Sequence, residues 1–422
     1  MRVSQPIEEG PNRAVLLGAA TDDASWPVDE SLDELARLAD TAGIEVVGRV
    51  TQNLSDPHPN SYLGKGKIRD LREEEKSTLR FDTVIADDEL SPAQQRYLED
   101  TLDVQVLDRT AVILHIFALH AHSREGRLQV ELAQYRYRLP RLTGRGAMLS
   151  RLGAGINTRG PGETKLESDR RRIRHRISEL NRDLERVRDQ RALHRRQRRA
   201  SGIPVVALVG YTNAGKSTLM NALTGAEVLS SNQLFATLDP TTRRLELPNH
   251  QEALLTDTVG FIQKLPTDLV AAFRATLEEV VEADVILHVV DASHPQVEEQ
   301  AEAVEDELEA LGVLSKPRIT VLNKCDLVTS QRLEILKRVF PDPVVTSAVE
   351  GAGLDNLRAR IAETLARQFV QVSVDIPYTD AEFVGLFRAH GVIEREDHES
   401  EGTRITGRLP AALLPSFQRF IG

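Results

Sequence analysis

Residues 210–217 read GYTNAGKS, and their spacing, G-x-x-x-x-G-K-[ST], can do chemistry. Such a loop wraps backbone N–H groups around a phosphate chain at the start of a helix, where the dipole also favours negative charge. Gly210 and Gly215 permit the wrap, and Tyr211, Thr212, Asn213 and Ala214 make up its span. Lys216 brings positive charge to β- and γ-phosphate oxygens. The Ser217 hydroxyl can ligate Mg2+, with Thr218 next in the helix. A chance Gly-rich turn would also match, but it would lack the flanks seen in this chain, an apolar PVVALV before the loop and a helical STLMNALTG after it.

Further along, VLNKCD places Asn323, Lys324 and Asp326 after an apolar run. A carboxylate at Asp326 accepts from the N1–H and exocyclic amine of guanine. Adenine has no such donor pair and would leave the buried acid unpaired. Asn323 can hold the base edge and tie its loop to the phosphate loop, and the Lys324 stem can pack over the base. N-K-x-D alone occurs on many surfaces, but about 110 residues beyond a phosphate loop it is specific. TSA at 346–348 follows another strand-like run, and Ser347 and Ala348 can present backbone N–H groups to the guanine O6.

Between these motifs lies DTVGFIQKLP, residues 257–266. Asp257 is placed to hold Mg2+ through water. Thr258 and Val259 lead to Gly260, whose N–H can swing to a γ-phosphate. Many nucleotide hydrolases follow that glycine with a glutamine that orients the attacking water; this chain has Phe261. Upstream, LFATLDPTTR offers Thr237, Thr241 and Thr242 as the threonine that closes over Mg2+ and the γ-phosphate, and spacing does not rank them.

These residues need α/β scaffolds. Residues 13–120 alternate strand-like runs (RAVLLGA, IEVVGRV, FDTVIADD, VQVLD) with helical ones, predicting a small parallel sheet with covering helices. Ser31 is the expected N-cap of the first helix, and Ser91-Pro92 opens another. Residues 110–142 read as one long helix or two, and SYLGKGKI as a turn that also touches RNA. Ile173, Ile177, Leu180, Leu184 and Val187 make a narrow apolar stripe in the charged stretch 164–199, the pattern of a helical hairpin arm. VVALVG, EALLTD, VILHVVD, ITVLNK and PVVTS are the strands of a second α/β unit, and a small α+β module follows. The expected division is an N-terminal α/β domain at 1–162, a helical arm at 163–203, a GTP-binding domain with a mostly parallel sheet at 204–370, and a C-terminal domain at 371–422.

Composition narrows the class. The 422 residues are 41% hydrophobic and only 4% aromatic. Cys325 is the single cysteine, so no intrachain disulfide can form, which suits a reducing cytoplasm. No run approaches the ~18 apolar residues of a membrane span, and the N-terminus lacks the apolar core of a signal peptide. A cytoplasmic protein without a membrane anchor is expected. Residues 121–200 hold 22 Lys and Arg against 9 Asp and Glu, net +13 in a chain of −11, which leaves −24 elsewhere. One segment is thus suited to an anionic partner while the rest stays clear of it. His115, His120 and His122 share a helical run, but no Cys or carboxylate cluster accompanies them to make a zinc site.

Joined to LGKGKI (63–68), LQVELAQYRYRLPRL (128–142) and RGPGETKLESDRRRI (159–173), the nucleotide motifs make a chain that resembles the HflX family of GTPases, across about residues 13–370. The resemblance implies GTP hydrolysis, binding to the large ribosomal subunit, and splitting or rescue of stalled ribosomes under stress, by a protein expected to act as a monomer. It implies that Thr237, within Phe235-Ala236-Thr237-Leu238-Asp239, is the switch threonine on Mg2+ beside Ser217. It also implies that an apolar residue at Phe261 is normal, and that the cavity met by the Arg-rich loop is the peptidyl-transferase region.

Phe261 cannot accept a proton, so its expected role is packing against the switch, and Gln263 is a poor substitute two residues on. A slow intrinsic GTPase completed by the ribosome follows, since an added cation accelerates such reactions ~10³–10⁵-fold. Asn213 suggests K+ beside the phosphates, as related GTPases with Asn at that place bind it; a loop-bracing hydrogen bond explains it equally well. Arg141, Arg145, Arg151 and Arg159 surround a Gly-rich loop with little compensating acid, which favours RNA contact. Much of the charge at 164–199 is explained by a solvated helix face. The rival class is an RNA-binding assembly chaperone that uses guanine nucleotide as a switch.

Overall fold

A computed structural model describes residues 13–22, 26–75, 80–142, 161–200, 202–225, 234–248, 251–264, 277–410 and 413–421. The chain divides into two compact units. The first holds residues 1–185, 232–238 and 264–274; the second holds 186–231, 239–263 and 275–422.

In the first unit, β1 (Arg13–Ala20), β2 (Glu45–Asn53), β3 (Thr83–Ala86) and β4 (Gln105–Asp108) form a parallel sheet in the order β2-β1-β3-β4. Helices α1 (Val28–Thr41), α2 (Lys65–Asp70), α3 (Pro92–Leu102) and α4 (Arg109–His120) fall between or after the strands. Parallel strands covered by helices must be apolar on both faces, and all four residues of β3 are buried. Helix α3 starts as its sequence predicts: the Ser91 hydroxyl accepts from Gln94 N–H, the Gln94 side chain returns the bond, and Pro92 stands at the first turn.

Two local expectations are corrected. Ser31 does not cap α1, which begins at Val28 with Pro27 at the cap; the Ser31 hydroxyl donates instead to Asp87 Oδ2 at 2.7 Å. A buried carboxylate is a stronger partner than an exposed backbone N–H. SYLGKGKI does not remain a turn, because Lys65–Asp70 is a short helix entered from an extended Gly64 whose N–H donates to Gln52 Oε1 at 2.8 Å. Residues 110–142 resolve into two helices, α4 and α5 (Arg124–Arg141), the second capped by the Ser123 hydroxyl on Gly126 N–H. The arm is α6 (Pro161–Ala200). Its Ile177, Leu180 and Leu184 pack on Leu128, Leu132 and Tyr135 of α5. Arg176 grips Glu131 with two bonds, Nε at 2.9 Å and Nη2 at 3.0 Å.

The second unit contains a six-stranded sheet in the order β10-β9-β8-β5-β7-β6. Its strands are β5 (Val205–Gly210), β6 (Thr241–Glu246), β7 (Glu252–Asp257), β8 (Val285–Asp291), β9 (Arg318–Asn323) and β10 (Val344–Val345). Only β6 runs antiparallel, paired with β7. Its TTRRLE has no strand pattern of its own; it pairs Thr241 with Asp257 and Thr242 with Thr256, the latter hydroxyls 3.0 Å apart. Helices α7 (Lys216–Thr224), α8 (Val297–Ala310), α9 (Ser330–Val339) and α10 (Leu354–Ala366) complete this part. The C-terminal residues add an antiparallel sheet in the order β11-β13-β12, from β11 (Phe369–Pro377), β12 (Val392–His398) and β13 (Gly402–Pro410). Val372, Val374 and Ile376 alternate inward from β11 onto Phe387 of α11 (Ala381–His390) and onto Phe417.

Candidate nucleotide site

At the carboxyl ends of β5, β7, β9 and β10 the second unit gathers the loops that carry the sequence motifs, the place where open α/β sheets bind ligands. Gly210 ends β5, the loop Tyr211–Gly215 follows, and Lys216, Ser217 and Thr218 form the first turn of α7. Gly215 stands at φ +90°, and a Cβ on it would lie 2.4 Å from Asn323 Nδ2, so both backbone shape and space demand glycine.

Lys216 is buried and donates to the carbonyls of Gly210 (3.0 Å) and Tyr211 (2.8 Å). Burial pushes its ammonium down to about 8, against the pull of the Asp257 carboxylate. Asp257 ends β7, fully buried, and its Oδ2 accepts from the Ser217 hydroxyl at 2.6 Å. Two hard oxygen donors this close suit Mg2+. The Thr258 hydroxyl donates to Leu208 O at 2.6 Å, fixing β7's exit to β5.

The next residues are stitched to the phosphate loop. Phe261 N–H donates to Gly210 O (3.1 Å), Thr212 N–H donates to Phe261 O (2.7 Å), and Gln263 N–H donates to the Tyr211 hydroxyl (2.8 Å). Phe261 is itself buried, the packing role its side chain allows. Gly260 sits in the middle of this stitch. A Cβ there would lie 2.9 Å from Lys216 Nζ, 2.9 Å from Thr212 Cα and 3.0 Å from Thr212 Cγ2.

Asn323 ends β9 and joins three loops. Its Nδ2 donates to Ala214 O at 3.0 Å, while its Oδ1 accepts from Ala348 N–H (3.1 Å) and the Thr346 hydroxyl (3.3 Å). Lys324, at φ +61°, donates to Asp291 Oδ2 at 2.7 Å. The Ser347 hydroxyl donates to Asp326 Oδ1 at 2.6 Å, aligning the acid that would read guanine. The N–H groups of Ser347 and Ala348 both have acceptors in the protein, Ala352 O (3.0 Å) and Asn323 Oδ1, so either would share its hydrogen with a guanine O6.

Asp239 belongs to the second unit, whereas Phe235, Ala236, Thr237 and Leu238 cluster with the first. There the Phe235 ring meets Phe117 edge-on at 4.7 Å, and Leu234 N–H donates to the Thr41 hydroxyl at 3.4 Å. Lys264 also falls in that unit, with its ammonium 2.5 Å from Asp87 and 2.6 Å from Asp88. Thr241 and Thr242, the alternatives to Thr237, stand in the β6–β7 ladder.

Of the arginines expected at RNA, Arg145, Arg151 and Arg159 lie outside the described residues. Arg141 is engaged within the first unit: it donates to Asp108 Oδ2 (2.9 Å), Leu90 O (2.7 Å) and Gln95 Oε1 (3.1 Å), and stacks 3.5 Å over the Tyr137 ring. Asp291, the anchor of Lys324, is marked in the sequence by nothing more than an acid ending VILHVVD.

Three family models cover the chain in order: "GTP-binding GTPase N-terminal" on residues 29–118, "GTP-binding GTPase Middle Region" on 120–198, and "50S ribosome-binding GTPase" on 205–324. Curated relatives include GTPase HflX of Caldanaerobacter subterraneus subsp. tengcongensis, 48% identical over 93% of this chain and 90% of its own. Another, GTPase HflX of Lacrimispora saccharolytica, is 47% identical over 97% of this chain and 96% of its own. GTPase HflX of Escherichia coli (strain K12) is 43% identical over 89% and 88%.

Proposed function

From the chain's membership of the GTPase HflX family, and hence its hydrolysis of GTP to GDP and phosphate, we infer that it binds the large ribosomal subunit and splits or rescues stalled ribosomes under stress. The residue roles are part of this proposal, supported by the arrangement of the phosphate and base loops. Amides of 213–217 cradle the β-phosphate, with Lys216 and the Gly260 N–H on the γ-phosphate and Asp326 on the guanine edge. Ser217, Asp257 and Thr237 would hold Mg2+, which would neutralise negative charge on the β- and γ-phosphates. K+ beside Asn213 would add a second positive charge.

Without a glutamine after Gly260 the intrinsic rate is slow, and the ribosome completes the site. We propose a four-part division at 1–162, 163–203, 204–370 and 371–422, and a monomer working in the cytoplasm. Among the described residues no helix is long and apolar enough to cross a membrane.

The observation that carries the ribosome part is charge segregation: +13 in residues 121–200 of a chain whose remainder is −24. The description of the matched 205–324 region supports it. Arg145, Arg151 and Arg159 are the RNA contacts we propose, while Arg141 braces the helix that leads to them.

Sedimenting purified ribosomes with the protein and GTP, GDP or a non-hydrolysable analogue tests the reading. Separation of subunits with GTP and analogue is expected, weakened by Arg145→Glu with Arg151→Glu. Binding confined to immature subunits, with mature ribosomes intact, would favour an assembly chaperone instead.

A further inference from the structure

Thr212 is the second residue of the phosphate loop and only 6% exposed, yet its Oγ1 is buried without a hydrogen-bond partner among the described residues. Its backbone N–H is already committed to Phe261 O. A buried hydroxyl left unpaired is costly, and native structures rarely keep one without a reason. Valine would fill the same volume without that cost, so packing alone does not explain a threonine.

The position of Thr212 supplies a reason. The point where a Gly260 Cβ would stand is 2.9 Å from Lys216 Nζ and 3.0 Å from Thr212 Cγ2. Thr212, the Lys216 ammonium and Gly260 therefore meet at one spot. A phosphate-loop lysine and the switch glycine are the groups that address a terminal phosphate. The Thr212 methyl thus lies on the γ side of the loop, and a rotation about χ1 would exchange it with the hydroxyl. The side chain of Phe261, where a water-orienting amide would stand, offers no polar atom.

We propose that Thr212 is a catalytic residue whose hydroxyl donates a hydrogen bond to an oxygen of the γ-phosphate. The contact exists with GTP and is lost with GDP. It distinguishes the two nucleotides and holds the terminal phosphoryl group for attack. It rests on the GTPase assignment and on no property of the ribosome, so it stands or falls in the isolated protein.

The full chain carrying Thr212→Val, Thr212→Ser or Thr212→Ala tests it. Three quantities are measured for each: GDP affinity, affinity for a non-hydrolysable GTP analogue, and the single-turnover hydrolysis rate without ribosomes. GDP affinity reports an intact loop and should stay within about twofold of the parent in all three. Val and Ala should lose ~10- to 100-fold in analogue affinity and rate combined, the worth of one hydrogen bond to a charged group. Ser should restore most of that loss.

Parent-like analogue affinity and hydrolysis in Val or Ala would overturn the assignment. Equal impairment of Ser and Ala would do the same, and so would a loss of GDP affinity as large as the loss for the analogue. Either of the last two results would mark Thr212 as structural.

Discussion

Replacing Asn323 with alanine removes three hydrogen bonds in one step, those to Ala214 O, Ala348 N–H and the Thr346 hydroxyl. Ala214, Thr346 and Ala348 are all buried. The threonine hydroxyl can rotate to another acceptor, but the two backbone groups cannot. Each orphaned backbone group costs about 1–3 kcal/mol, and water entering the gap recovers part of it, so the loss is ~2–4 kcal/mol. That corresponds to roughly 30- to 1000-fold in the folding equilibrium. Because the lost bonds join the phosphate loop to the base loops, GTP and GDP should weaken together, by at least tenfold. Urea unfolding of the nucleotide-free protein gives the first quantity, and equilibrium titration with a fluorescent guanine nucleotide gives the second. Stability within about 0.5 kcal/mol of the parent, with both affinities unchanged, would refute the claim that Asn323 organises this site.

Arg109→Met should destabilise the first unit by about 3–5 kcal/mol, because Arg109, 1% exposed, ion-pairs with Glu34 and with Asp87 (2.8 Å), and methionine removes both buried ion pairs at once. A loss under 1 kcal/mol in urea unfolding would contradict this. His288, buried in β8, has its imidazole pushed down to about 3 by desolvation, aided by Arg318 and Lys216. The unfolded chain takes up that proton near pH 6.5 and the folded chain only near 3. Stability should therefore drop as the pH is lowered from 6.5 toward 3, by about 1.4 kcal/mol per unit from this group. His288→Gln should lack that part of the slope between pH 7 and 5; equal slopes in parent and variant would exclude it.

How much of this was visible beforehand follows from where each constraint resides. GYTNAGKS and NKCD are legible because phosphate wrapping and guanine reading demand particular residue types at fixed short spacing. Parallel strands such as VILHVVD announce themselves because burial on both faces leaves little room for polar residues. Ser31 misleads because capping is a local preference, and Asp87, 56 residues away, outcompetes it. Arg109 gives no sign of its burial, since its partner Glu34 is 75 positions distant. TTRRLE goes unnoticed because an edge strand with one buried leucine has almost no pattern of its own. The clustering of residues 232–238 with the first unit, through contacts such as Phe117 on Phe235, is likewise tertiary information.

The most direct measurement is nucleotide choice in Asp326→Asn. The Asp326 carboxylate, aligned by the Ser347 hydroxyl at 2.6 Å, accepts two guanine donors. An asparagine offers a donor where xanthine carries a carbonyl in place of the exocyclic amine. Competition binding should show the parent preferring GDP to XDP and the variant reversing that order. If the variant kept the parent's preference, guanine would not be read at this acid, and the nucleotide site would have to be sought elsewhere.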